Sequence, residues 1–190
     1  MDRFRYRVKH QKMAPFHFIS QLDLNRLWGR ALRRAGLPIA YSQGFNPRPL
    51  LSFGPALPLG VESRAEYWDV FLTQKLSPEE ISNALNKEVL PELKIEEVSS
   101  LLLSFPSINQ SIKGVRYSYY FPYSIKERAN LSPGEKGVEE EKRERVGEFL
   151  VVLFLFKEEK ILYSPGKWAE ILEKEWGEDP ARIVKEQVLW

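Results

Sequence analysis

Basic residues stand at every second position near the start of the chain, at Arg3, Arg5, Arg7 and Lys9. The fixed fork of a guanidinium group at that spacing is chemistry for phosphate. The alternation places Phe4, Tyr6 and Val8 on one face of a strand and the four cations on the other. Four like charges on one strand face repel one another unless something anionic lies opposite, either an outside ligand or an acidic surface of the same chain. A second group, Arg26, Arg30, Arg33 and Arg34, has the spacing of a polar helix face. It reads either as a solvated surface or as further phosphate contacts. The third candidate is the stretch 42–49, in which Gly44 and Asn46 can present backbone N–H groups and Arg48 a side chain. It lacks the glycine spacing and the lysine of a phosphate-binding loop. With no aromatic on the cation face of the first strand, backbone contact is favoured over base reading.

Groups suited to catalysis are few. Asp23 is explained by its place in a first helical turn and Asp69 by a strand position near an edge or loop. His10 and His17 flank Pro15 without carboxylate company. No catalytic residue, metal site or cofactor is assigned. There is no cysteine, which removes disulfide scaffolds, thiol nucleophiles, zinc ribbons and cysteine-held iron–sulfur clusters.

These residues need a scaffold, and 190 residues with 43% hydrophobic and 28% charged content suffice for one. The net charge of +2 hides an uneven distribution. The first fifty residues hold ten Lys or Arg against two acids, and the next fifty hold four against nine. Such a split points to a local anionic partner or to acids folding back over the cations. After the first strand, Ser20 with Asp23 opens a helix whose apolar stripe is Leu24, Leu27, Trp28, Ala31, Leu32 and Ala35, and Gly36 and Pro38 end it. A short strand is expected over 37–41, a remnant over 51–53 and a firm strand over 66–73. Ser77-Pro78-Glu79-Glu80 starts a second helix, and 93–98 forms a closing strand.

The order β-α-β-β-α-β matches a ferredoxin-like half over residues 1–100, and a looser repeat is expected over 101–190. There the spans are a strand at 115–123, a charged stretch at 127–148 ending in a short helix, strands at 149–156 and 161–163, a helix at 165–176 and a strand at 182–190. The fold class is therefore α+β, two ferredoxin-like halves with antiparallel sheets. The first residues lack the apolar core of a signal peptide, and no apolar run approaches membrane length, so a cytoplasmic protein with no membrane partner is expected.

The runs ISQLDL at 19–24, RALRRAGLPIAYSQGFNPRP at 30–49 and LPLGVES at 57–63, followed by Glu66-Tyr67, closely resemble the radical SAM-linked proteins of the DUF2344 family. The match is specific over about residues 3–98 and loose after Gly114. Gln21 and Arg48 stand where the family commonly has His, which weighs against transferring a histidine role. The resemblance implies a radical SAM protein as partner, while this chain has no cysteines with which to be one itself.

The leading expectation is a non-catalytic RNA-binding or substrate-presenting accessory protein that works with a radical SAM enzyme on RNA or a ribosome-linked substrate, in RNA or ribosome maturation. Arg3, Arg5, Arg7 and Lys9 would hold phosphates, and Arg33, Arg34, Gly44, Asn46 and Arg48 would add contacts. One alternative is a metal-independent RNA endonuclease with His10 or His17 as base and Arg48 stabilising the phosphorane. The other is a protein–protein adaptor.

Overall fold

A computed structural model of the chain describes residues 3–122, 138–157, 165–177 and 179–190. It divides into two compact units, Met1–Leu57 with Ala65–Ser111, and Pro58–Arg64 with Ile112–Trp190.

In the first unit β1 (Phe4–Lys12) is followed by α1 (Gln21–Arg34), β2 (Leu51–Phe53), β3 (Glu62–Leu72), α2 (Pro78–Asn86), β4 (Ile95–Leu101) and the single-turn α3 (Ile108–Ser111). Their spatial order is β4-β1-β3, with β2 antiparallel on β3 and β4 antiparallel on β1. The β1 alternation holds. Tyr6 and Val8 are buried with Trp68, Val70 and Leu72 of β3 and with the α1 stripe Leu24, Trp28, Ala31 and Leu32. Trp28 stacks on Trp68 at 5.2 Å between ring centroids, and Phe53 stacks on Trp68 at 6.0 Å.

Ile95 and Val98 both reach this core although they are three residues apart, because the register shifts between Lys9 paired with Glu97 and His10 paired with Ile95. The shift leaves Glu96 as an extra residue on β4, so both apolar side chains face inward.

Local signals act as expected at the helix starts. The Ser20 hydroxyl oxygen accepts from Asp23 N–H, and Ser77 with Glu80 closes a reciprocal capping box behind Pro78. The Ser77 N–H and hydroxyl both donate to the Glu80 carboxylate and hold its pKa below the ordinary carboxylate value. The strand expected over 37–41 is reduced to two isolated bridges, Ile39 with Leu72 and Tyr41 with Pro49. Pro38, Pro47 and Pro49 cannot donate to a ladder.

The second unit contains β5 (Gly114–Pro122), β6 (Val138–Val146), β7 (Phe149–Lys157), α4 (Pro165–Trp176) and β8 (Arg182–Leu189). The ladders β8–β5, β5–β7 and β7–β6 are antiparallel. The start of β3 pairs with β8 in parallel, Glu62 with Val184 and Ser63 with Lys185, so an all-antiparallel arrangement does not hold here.

The end of the charged stretch, expected as a helix, is the strand β6. It turns at Gly147, whose φ is +60°, into a hairpin with β7. Its charges are matched laterally. Glu141 accepts from Arg116 of β5, and Glu139 accepts from Lys157 of β7. Pairing against the apolar β7 outweighs the helix propensity of Glu, Lys and Arg. The strand expected at 161–163 and the remainder of the charged stretch lie outside the described residues. Tyr119 is buried and donates its hydroxyl to the Pro165 carbonyl, and burial raises its pKa well above the usual phenol value. Among the described residues no helix is long and apolar enough to cross a membrane.

Candidate nucleic-acid interface

The alternating cations Arg3, Arg5, Arg7 and Lys9 do not form an open platform. Arg5 and Arg7 are only 7% and 8% exposed, and both converge on Asp69, which is fully buried in β3. Arg5 donates to one carboxylate oxygen of Asp69 through Nε at 3.1 Å and Nη2 at 2.5 Å. Arg7 donates through Nε at 2.8 Å to the other oxygen and through Nη2 at 3.2 Å to the first. Backbone carbonyls complete the set. Arg5 also donates to the Phe105 carbonyl and, at 3.0 Å, to that of Pro106, and Arg7 reaches Pro106 at 3.3 Å. The two guanidinium groups lie over aromatic rings, Arg5 over Phe71 at 5.9 Å and Arg7 over Phe105 at 5.5 Å.

The segment between β4 and α3 therefore covers this part of the sheet face, and Asp69 supplies the anion that the cation row requires. Asp69 is an interior strand residue rather than the edge or loop position expected. The flanking cations sit differently, with Arg3 exposed and Lys9 partly buried.

The helical arginines divide into two kinds. Arg26 pairs with Asp23 at 3.0 Å, and Arg34 donates to the Glu88 carboxylate and carbonyl, each at 2.8 Å. The Ser20 hydroxyl and then Arg26 hold the Asp23 carboxyl below its usual pKa. Arg30 and Arg33 are exposed and have no ion pair among the described residues. Arg48 is in the same condition.

Residues 42–49 form a closed loop. Ser42 N–H donates to the Arg48 carbonyl at 2.8 Å, and Arg48 N–H donates to the Ser42 hydroxyl oxygen at 3.0 Å, next to the Tyr41–Pro49 bridge. Residues 43–48 are all exposed, and Gly44 turns the chain at φ +123°, where a side chain is strained. The loop closes against α1. A Cβ built on Gly29 would lie 3.9 Å from Cγ of Pro49. On a helix, positions 26 and 33 neighbour 29, so the residue after Arg48 lies beside the part of α1 that carries Arg33, with Arg30 further round the helix.

Gly29→Ala is expected to raise the unfolding free energy by about 0.5–1 kcal/mol, since 3.9 Å is an ordinary contact and helix propensity improves. Urea denaturation checks this, and a loss of stability would show that the loop sits tighter on the helix than described. The signal for this contact was a mid-helix glycine, a residue that a helix otherwise avoids.

The histidines are placed apart from these cations in kind. His10 is buried on the helix side of β1, edge-on to Trp28 at 4.7 Å, and His17 lies in a 3-10 turn against Phe18 at 3.9 Å. Buried Lys12 donates to the Ile19 carbonyl at 2.9 Å. Burial lowers its pKa, and Glu66 opposes that shift. Among the described residues no group of three or more His, Asp or Glu is placed to hold a metal ion.

No curated protein matches the chain. A family model does, over residues 5–153, a range that includes the buried Arg5–Asp69–Arg7 cluster, α1 and the exposed loop, and the chain belongs to that family, the uncharacterized proteins conserved in bacteria designated DUF2344.

Proposed function

We propose that the chain is a cytoplasmic, non-catalytic RNA-binding or substrate-presenting accessory protein whose RNA contacts lie on α1 and the 42–49 loop. One observation carries the reading: Arg30, Arg33 and Arg48 are exposed and make no ion pair among the described residues, and Pro49, the residue after Arg48, lies beside Gly29 of the helix that carries the other two. Unpaired arginines grouped on rigid backbone suit phosphate. Gly44 and Asn46 fall within the same face, and Arg34 adjoins it although Glu88 holds it. Arg3 and Lys9 flank the cluster that engages Arg5 and Arg7 and contribute at most at its margin.

Asp69 supplies inside the fold the anion that the cation row calls for, so Arg5 and Arg7 are the weaker candidates for phosphate and the second group the stronger. Burial of His10 leaves the endonuclease reading with His17 alone as its base. We read unit 1 as a ferredoxin-like half. The sequence order β1-α1-β2-β3-α2-β4 and the spatial order β4-β1-β3-β2 support this. A radical SAM partner rests on the resemblance of residues 19–67 to radical SAM-linked proteins.

The test is a titration of bulk cellular RNA across a salt series with wild type and with a variant carrying Arg30→Glu, Arg33→Glu and Arg48→Glu. Wild-type affinity is expected to fall steeply with salt, and the variant to bind weakly with a log–log slope smaller by about 2, at about 0.7 per phosphate contact. Equal binding by the two proteins would place the RNA elsewhere. No salt-sensitive binding by wild type would end the RNA reading for this chain.

A further inference from the structure

We infer that Phe45 is a stacking surface for an unpaired base, so that the RNA held at this face is single-stranded where it meets the loop. The inference rests on the RNA reading above and narrows it to a substrate class. Phe45 is the most exposed large apolar residue among those described, at 106% of its reference area. Its exposure does not come from a slack loop. The Ser42–Arg48 hydrogen bonds, the Tyr41–Pro49 bridge, Pro47 and the seating of Pro49 beside Gly29 brace both sides of the turn. Gly44 at φ +123° sets the direction in which the next residue leaves.

The surroundings choose among ligands. Gln43, Asn46 and Arg48 are exposed in the same loop, and Arg30 and Arg33 are exposed on α1, beside which Pro49 lies. Tyr41, at the foot of the loop, is the other exposed large apolar residue of 41–49, while the positions that flank Phe45 in the turn carry amides and a cation, which suit a nucleotide better than an apolar protein surface. A base offers a π-face to the ring, amide-matched edges and a phosphate on either side. In a duplex the base faces are already stacked, so a helix would engage the arginines alone and leave Phe45 idle.

The experiment uses the full chain with a fluorescent oligouridylate, which stays unpaired, and an RNA hairpin duplex of equal charge. Proteins are wild type, Phe45→Ala and Phe45→Trp, each checked for unchanged thermal unfolding, which full exposure of the side chain predicts. Phe45→Ala is expected to weaken oligouridylate binding about ten- to a hundred-fold with the salt slope unchanged and to leave hairpin binding nearly as it was. Phe45→Trp is expected to keep the affinity and to show quenching of the added indole fluorescence on binding. Wild-type RNA binding that is indifferent to Phe45→Ala overturns the stacking role while leaving the RNA reading intact, and so does equal weakening on both probes. Absence of binding to either probe by wild type overturns both.

Discussion

Asp69→Asn is expected to lower the unfolding free energy by about 3–5 kcal/mol, because it withdraws the negative charge from two arginines that remain buried. Asp69 is fully buried and accepts four hydrogen bonds, two from each guanidinium. An amide can accept at only one of its two ends, and its NH2 group would face Nε–H donors. Urea denaturation followed by far-UV circular dichroism measures the loss; a change below about 1 kcal/mol would mean that the cluster is hydrated rather than buried. Replacing the whole set by apolar residues, Arg5→Met, Arg7→Met and Asp69→Leu, is expected to recover much of the stability, since isosteric apolar replacement of a buried ionic group is often neutral. The same argument governs how binding is mapped. Charge reversal at Arg5 or Arg7 would abolish RNA binding by unfolding the unit, so only the exposed positions on α1 and the loop give an interpretable loss.

The second large effect lies on the opposite face of β3. Trp68→Ala is expected to cost about 3–5 kcal/mol, the range for truncating a buried large aromatic. Trp68 has no exposure and touches aromatic partners from two other elements, Trp28 of α1 and Phe53 of β2. Its loss therefore opens a cavity where helix and sheet meet, which neither can close without moving. Trp68→Phe is expected to cost less and to erase the coupled near-ultraviolet signal of two indoles whose rings lie 5.2 Å apart and 29° from parallel. Retention of the signal would place the coupling in another tryptophan pair.

What could be read in the sequence was what is decided locally. The parity of β1, the α1 stripe and the Ser20 and Ser77 caps depend on residues within one or two turns of each other, and each is found as expected. What faces the cation row was not legible, because Asp69 lies 62 and 64 residues from the arginines and the carbonyls of Phe105 and Pro106 about a hundred. Nothing in an alternating strand states which neighbour its polar face will meet. The β6 error has a different origin. A strand exposed along much of its length carries charges at consecutive positions, and Glu139 to Arg145 show no period of two from which a strand could be recognised. The candidate interface was half legible: Arg33 and Arg48 stood out by type, whereas their association depends on a glycine meeting a proline twenty positions away.

The division of β3 between the two units bears on whether the chain can be dissected. Residues 58–64 belong with the C-terminal unit although they precede most of β3 in sequence. No single cut separates the halves. A fragment starting at Ile112 would omit Glu62 and Ser63, depriving β8 of its parallel neighbour and Arg182 of the carboxylate to which it donates. A fragment ending at Ser111 would keep Glu62 and Ser63 without the β8 residues they pair with. Gene truncation and fusion at the midpoint therefore separate residues 58–64 from the rest of the C-terminal unit.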